Sequence, residues 1–344
     1  MAATLSPKVN LVDLSKADYR GATTTLCQGC GHNSITSQII SACYDLSITP
    51  EDIVKFSGIG CSSKAPTYFL SRAFGFNGVH GRMPSLATGA LFADTSLTGI
   101  GMSGDGDSAS IGMGQFKHVM RRNLPLVYII ANNGVYGLTK GQFSATAEEG
   151  LNLKGQGQNQ YMPIDIVWEA VISHATFVAR SFAGDPKQVR ELLKAALSHR
   201  GIAVLDIISP CVTFNNQDDS HHSYAWGRDH EVALHDLSYV PVAEEIMVDY
   251  DDGEAKEVTM HDGSRIMLRK VDKDYDPTDR ANILCMLEDA NRRQELLTGL
   301  IYIDTEQESL FDMYNLPDEA LNRLTPDRIR PSRESIDEIN ALMF

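Results

Sequence analysis

Two apolar runs, one helix apart, set the frame of this chain. Residues 97–102 lead into Gly104-Asp105-Gly106-Asp107, a helix-like stretch follows from about Ala109 to Arg122, and residues 126–131 deliver Asn132-Asn133. The pattern predicts a strand–helix–strand unit with polar residues at both strand exits, where open α/β sheets bind ligands. Gly104 and Gly106 let backbone approach a phosphate closely. The following helix N-terminus favours an anion. Asp105 and Asn133 are hard oxygen donors of the type that holds magnesium beside a diphosphate. A Gly-Asp-Gly turn alone would carry no such meaning. Its pairing with Asn-Asn, 28 residues after Asp105, is what makes the signal specific.

At 344 residues the chain can bury one large core or two small ones. The net charge of −15 argues against nucleic acid as a partner. That charge is uneven: residues 241–344 hold 25 acidic against 12 basic side chains, residues 1–240 hold 20 against 18. The shift places a boundary near 240, giving an N-terminal arm (1–22), a binding domain (23–240) and an acidic C-terminal extension (241–344). The first twenty residues show no apolar secretory core, and no apolar run of about 18 residues could span a membrane. A cytoplasmic protein is the expectation.

The remaining pattern is that of a doubly wound, mainly parallel α/β sheet. Strands are expected at 53–59, 177–182 and 202–208, and helices from about Ile35, over 84–92, over 164–174 and from Asp185-Pro186 to about His199. Asp185 serves there as N-cap, with Pro186 in the first turn. Residues 148–161, rich in Gly, Gln and Asn, read as a long loop or lid. Stretches 257–260 and 266–270 flank His261-Asp262-Gly263-Ser264 as a hairpin, and 282–297 reads as a helix. Residues 303–344 carry scattered apolar anchors suited to wrapping a partner or the main domain. The Asp218-Asp219 and His221-His222 pairs read as a solvated loop.

Six cysteines, at 27, 30, 43, 61, 211 and 285, accompany no secretory signal, so a disulfide framework is not expected. Cys27-x-x-Cys30 alone admits a metal or cluster, a redox dithiol, half a zinc site, or plain burial. Cys61 and Cys211 fall at or just past strand ends, which in a doubly wound sheet lie on one edge. Four thiolates from turns on that edge could hold a [4Fe–4S] cluster. Cys43 and Cys285 lie in apolar helical stretches and read as structural.

Read in order, Cys-x-Gly-Cys-Gly (27–31), Gly-Ile-Gly-Cys-Ser-Ser-Lys (58–64), His-Gly-Arg (80–82), Gly-Asp-Gly-Asp (104–107) and Asn-Asn-Gly-x-Tyr-Gly-Leu-Thr-Lys-Gly-Gln (132–142) resemble the β subunit of 2-oxoacid:ferredoxin oxidoreductases. The Gly-Leu-Thr-Lys-Gly-Gln form is most similar to the 2-oxoglutarate-type members. The resemblance covers residues 22–240 and implies the thiamine-diphosphate-binding fold. By it, Asp105, Asn133 and Val135 hold Mg2+. Ile59, Gly60, Cys61, Ser62, His80, Gly106, Asp107, Gly137 and Leu138 contact thiamine diphosphate, and Cys27, Cys30, Cys61 and Cys211 ligate one [4Fe–4S] cluster.

The implied reaction is 2-oxoglutarate, coenzyme A and oxidised ferredoxin going to succinyl-CoA, carbon dioxide and reduced ferredoxin, and it is reversible. His80 and Lys64 are candidate catalytic residues, and Lys64, Arg82 and Leu138 candidate substrate contacts. A cation at Lys64 suits the distal carboxylate of a dicarboxylic 2-oxoacid: at 4 Å and an effective dielectric of about 20, the pair gains roughly 4 kcal/mol before desolvation. His32 is a candidate for proton transfer or for a turn-stabilising hydrogen bond. The glutamate that activates the cofactor's pyrimidine has no place in this chain. An α subunit supplying it and much of the coenzyme A site is therefore implied, in an α2β2 assembly. Two rivals remain at this stage: a non-redox thiamine-diphosphate decarboxylase or synthase subunit, and a cluster-holding electron-transfer subunit without thiamine.

Overall fold

The computed structural model of the chain describes residues 8–218, 220–233, 255–259, 265–269 and 275–343. Strands β1 (Ile53–Ser57), β2 (Phe74–Asn77), β3 (Thr98–Gly104) and β4 (Leu126–Asn132) are followed by two short ribbons. These are β5–β6 (Val135–Tyr136 with Gln142–Phe143) and β7–β8 (Asn152–Leu153 with Gly157–Gln158). Then come β9 (Phe177–Phe182), β10 (Ile202–Ile208), β11 (Glu231–Ala233), a separate ribbon β12–β13 (Ala255–Thr259 with Arg265–Arg269) and β14 (Leu296–Ile303).

Eight strands form one sheet in the order β11-β14-β9-β10-β4-β3-β1-β2. The run from β2 to β9 is wholly parallel. Its central strands are buried along their whole length, as two covered faces require. On one face lie α1 (Gly31–Asp45) and α6 (Pro186–Ser198), over Ile39, Leu192 and Leu205. Between them in sequence come α2 (Cys61–Lys64), α3 (Met83–Ala93), α4 (Met113–Arg121) and α5 (Ile166–Ile172); α7 (Tyr224–His230) and α8 (Arg280–Arg293) follow. Helices α3, α4, α5 and α8 pack successively against one another over the other face, with Met83, Phe116, Val167 and Leu287 in its core. The architecture is the doubly wound α/β fold expected.

From β1 the chain goes outward to β2 and then returns to β3 on the other flank of β1. The exits of β1 and β3 thus face each other at a topological switch point, the usual crevice of such sheets. Three glycines there are dictated by geometry, two by close approach and one by backbone conformation. A Cβ on Gly58 would collide with the Asp107 carboxylate, one on Gly106 with the Tyr136 ring, and Gly60 holds φ +88°.

Several boundaries differ from the sequence expectations for local reasons. The stretch after Asp105 is a π-helical turn, Gly106–Ile111, before α4 begins beyond Gly112. The helix expected over 282–297 ends at Arg293: Gln294 adopts a left-handed conformation, and Leu296 and Leu297 start β14 instead. This strand, from the acidic C-terminal stretch, pairs antiparallel with β9, and α8 packs beside α5. Residues 280–303 are therefore part of the main sheet's own layers. The two strands of the hairpin are present, while its turn, Met260, Lys270 and the composition boundary near 240 lie outside the described residues. The long loop carries β7–β8 and is pinned by the buried Asn159 amide, which donates to the carbonyls of Ala147, Glu148 and Tyr161. The N-terminal arm is anchored by Tyr19, fully buried, whose hydroxyl accepts from Asn10 Nδ2 at 2.7 Å.

A buried lysine braces the segment that leads away from the β1 exit. Lys55 Nζ donates to the carbonyls of Pro66, Phe69 and Leu70 at 2.8, 2.9 and 2.8 Å. Burial pulls its pKa down to about 8. Lys55→Met would leave three inward-facing carbonyls without a donor, so it is expected to cost about 3 kcal/mol, read as a lowered urea midpoint at unchanged slope.

Candidate active site and cysteine cavity

The exits of β1, β3 and β4 converge as the sequence requires. Ile59, Gly60, Cys61, Ser62, Gly104, Asp105, Gly106, Asp107, Asn133, Val135 and Gly137 line one crevice, with His32 and Tyr136. Asp105 is 1 % exposed. Its Oδ1 accepts the Asn133 N–H at 3.3 Å, and its Oδ2 accepts the hydroxyls of Ser144 and of Thr146, the latter at 2.7 Å. No basic side chain forms an ion pair with it among the described residues. A buried carboxylate served only by neutral donors is electrostatically incomplete. With Asn133 lining the same crevice, its amide oxygen accepting the Val135 N–H at 3.1 Å, the carboxylate fits a hard divalent cation whose remaining ligands are phosphate and water.

Asp107 lines the crevice where the sequence places it, and its carboxylate is engaged within the fold. Its Oδ1 accepts the Gly81 N–H and its Oδ2 the Ser103 hydroxyl, each at 2.6 Å. The carboxylate latches the 78–82 turn to β3, leaving the backbone of Asp107 to face the crevice. His32 is fully buried between Ser209 Oγ, 2.7 Å from Nδ1, and Ser62 Oγ, 2.9 Å from Nε2. Burial lowers its pKa to about 4, so it is a neutral clamp at pH 7. Its hydrogen bonds join the segment after β10 to the start of α2 rather than closing its own turn.

A second cavity of about 180 Å3 is lined by Cys27, Cys30, Cys61 and Cys211, with Lys64, Leu138 and Phe214. Three separate segments supply the thiols. Cys27 and Cys30 come from the turn before α1, Cys61 from the start of α2 and Cys211 from beyond β10. A Cβ on Gly137 would lie 3.7 Å from the sulfurs of both Cys61 and Cys211. Burial pushes the Cys30 thiol up to about 11, and Cys61 is raised by burial and by its thiol neighbours. Among the described residues no three His, Cys, Asp or Glu side chains converge tightly enough for a single ion. Thiols ringing a cavity fit a multi-atom cluster rather than zinc. Cys43 is buried on α1, its thiol raised to about 12, whereas Cys285 is exposed on α8.

Cys61, Asn133 and Gly137 line both cavities, so a single wall separates them. Lys64 and Leu138 border the cysteine cavity, both exposed; His80 and Arg82 are exposed in the 78–82 turn and line neither.

The sequence missed an inner layer behind Asp105. His222, expected in a solvated loop, is 5 % exposed and pairs through Nδ1 with Glu148 Oε1 at 3.0 Å. Asp219 lies outside the described residues. Burial alone would raise the Glu148 carboxyl, but facing His222 holds it down to about 2; burial likewise opposes charge on His222, and Glu148 reverses it, raising the imidazole above its usual value. Beside them, Asp206 is fully buried and accepts from Arg180 Nε and from Asn132 Nδ2, each at 3.0 Å, while Arg180 also pairs with Asp165. Only long-range packing brings these residues together; no motif marks them.

Comparison with known proteins agrees with this geometry. Residues 58–207 match the family model described as thiamine pyrophosphate enzyme, C-terminal TPP binding domain. Fold and crevice thus define a domain of that class. A 2-oxoacid:ferredoxin oxidoreductase β subunit of Saccharolobus solfataricus is 42 % identical over 191 residues, 55 % of this chain and 63 % of that one. The 2-oxoglutarate synthase subunit KorB of Methanocaldococcus jannaschii is 35 % identical over 192 residues, 55 % of this chain and 69 % of its own length. A solved 2-oxoglutarate:ferredoxin oxidoreductase from Magnetococcus marinus, with 2-oxoglutarate, coenzyme A and succinyl-CoA bound, superposes with a TM-score of 0.72 at 28 % identity, over 96 % of both chains. The chain belongs to the 2-oxoacid:ferredoxin oxidoreductase β-subunit family. Its match spans 63 % of the S. solfataricus subunit's length.

Proposed function

We propose that this chain is the cofactor-binding subunit of an enzyme that oxidises a 2-oxoacid, 2-oxoglutarate above all, with coenzyme A and ferredoxin. The observation that carries this reading is the wall shared by the two cavities. Cys61, Asn133 and Gly137 border both the magnesium-type crevice and the ring of four thiols. When bound, thiamine diphosphate supplies the electron sink for decarboxylation and a [4Fe–4S] cluster supplies the one-electron acceptor.

The chain's own residues do the rest. Asp105, Asn133 and the Val135 carbonyl hold the magnesium. The backbone of Gly106 and Asp107 faces the diphosphate, and His32 fixes the Ser62 hydroxyl at the crevice wall. Cys27, Cys30, Cys61 and Cys211 ligate the cluster. Lys64 and Leu138, at the mouth of the cysteine cavity, are the candidates for reading the distal carboxylate and the chain length of the substrate. His80 and Arg82 would reach substrate or cofactor only from the exposed 78–82 turn. Among the described residues lining the crevice none is a glutamate that could activate a pyrimidine ring, in keeping with a partner α subunit carrying that group and coenzyme A contacts, in an α2β2 complex. Among the described residues no helix is long and apolar enough to cross a membrane. We place the enzyme in the cytoplasm.

The test is iron and acid-labile sulfide per chain in protein prepared without oxygen. About four of each, lost in Cys61→Ala, is the expected result. Protein free of iron under those conditions would sink the redox reading and favour a non-redox thiamine enzyme.

A further inference from the structure

Asp105 is held in place by a chain of hydrogen bonds whose far end is the buried Glu148–His222 pair. We propose that His222 and Glu148 are positioning residues for the magnesium site, acting through Asn132 and Thr146 on the direction of one hydroxyl proton. The inference rests on the reading of Asp105 as a magnesium ligand and extends it to residues that touch neither metal nor cofactor.

The argument is one of donors and acceptors. Asn132 Nδ2 lies 3.0 Å from Asp206 Oδ1, and a carboxylate paired with Arg180 can only accept. This fixes the orientation of the Asn132 amide, so its Oδ1 faces His222 Nε2 at 3.1 Å and Thr146 Oγ1 at 2.8 Å. Thr146 has a single proton and three oxygens within reach: Asp105 Oδ2 at 2.7 Å, Asn132 Oδ1 at 2.8 Å and, more distant, Ser144 Oγ at 3.2 Å, which itself donates to Asp105 Oδ2. Of the two nearer ones, it serves either the amide or the metal ligand.

His222 decides which. Its Nδ1 faces Glu148 Oε1, which also accepts the Ser220 hydroxyl at 3.1 Å. Its Nε2 faces an amide oxygen, which can only accept. With N–H groups at both ring nitrogens, His222 satisfies Glu148 and Asn132 together. A cationic donor on the Asn132 oxygen weakens that oxygen's pull on the Thr146 proton and favours its donation to Asp105. Asp105 Oδ2 then carries two hydroxyl donors, Ser144 and Thr146, and Oδ1 keeps a lone pair beside the Asn133 N–H for the cation. All five side chains from Asp105 to Glu148 are less than one tenth exposed, and Asn132, Thr146, Glu148 and His222 also border a cavity of about 140 Å3.

The test uses the full chain in its assembled complex, depleted of magnesium. Binding of labelled thiamine diphosphate is followed by equilibrium dialysis as Mg2+ is raised, and variants are compared at equal iron per chain. Thr146→Val is expected to raise the half-saturating Mg2+ about tenfold, the usual cost of losing a partner behind a ligand, and Thr146→Ser to restore it. His222→Phe with Glu148→Gln, which avoids leaving a lone buried carboxylate, should give a similar rise. Adding Thr146→Val to that pair should raise it no further, because both act through the same proton; independent structural damage would add. An unchanged Mg2+ requirement in Thr146→Val, or additive effects, would overturn the relay. Should the paired variant fail to fold, Thr146→Val and Thr146→Ser decide alone. Asp105→Asn separates the two readings: if it too binds normally, the magnesium site itself is wrong, whereas loss of binding there with Thr146→Val unaffected removes only the relay.

Discussion

Asp105→Asn is expected to abolish magnesium-dependent thiamine diphosphate binding and to lower turnover of 2-oxoglutarate with coenzyme A by more than about 100-fold. That bound comes from the roughly 10- to 100-fold cost of losing a group behind a ligand; the ligand itself must cost more. The same substitution should leave the metal-free protein at least as stable as the original. Asp105 is buried with three neutral donors and no counter-ion among the described residues, so its charge burdens the fold until a cation arrives. Removing the charge relieves that burden at a cost in function. The measurements are dialysis binding, steady-state turnover and the thermal midpoint with and without Mg2+. A large fall in the metal-free midpoint would mean that Asp105 is a structural residue first.

Arg180→Met should have the opposite character, a loss of stability before any loss of chemistry. Arg180 bridges Asp165, at the N-cap of α5, and Asp206, which has no exposure at all. Without the guanidinium, Asp206 keeps one N–H from Asn132 and a full buried charge. Breaking a buried pair this way costs about 3–5 kcal/mol. The pH dependence has a definite sign. Burial outweighs Arg180 and already raises the Asp206 carboxyl above the usual range, and the variant raises it further. A group whose folded pKa exceeds its unfolded one stabilises below the unfolded value and loses that contribution as pH rises through the folded value. The deficit should therefore be largest at neutral pH and shrink on acidification towards the ordinary carboxylate range. Urea titrations of both proteins across that window measure it.

What was legible in the sequence was whatever the chain writes locally. Parallel strands buried on both faces read as unbroken apolar runs, so β4, β9 and β10 stand where their sequences put them. Asp185 caps α6 with Pro186 in its first turn, as that dipeptide predicts. The crevice was legible for the same reason: glycine, Asp105 and Asn133 sit at strand exits at fixed spacing.

What stayed hidden depends on partners distant in sequence. His221-His222 looks like solvated loop until Glu148, 74 residues away, is placed against His222. The sequence places Asp107 at the crevice but says nothing of the latch its carboxylate forms with Gly81 and Ser103. Leu296 and Leu297 continue a helical pattern as well as they begin a strand. The left-handed Gln294 and the open flank of β9 settle which.

That last pairing imposes an order in time on synthesis. All four thiols of the cysteine cavity, residues 27 to 211, leave the ribosome long before β14 does. During that interval β9 is an uncovered parallel edge, a template for pairing with a neighbouring nascent chain. A contact bridging more than a hundred residues is also slow to close. Assembly of the cysteine cavity and closure of the sheet at β9 are thus separable events in the making of the polypeptide.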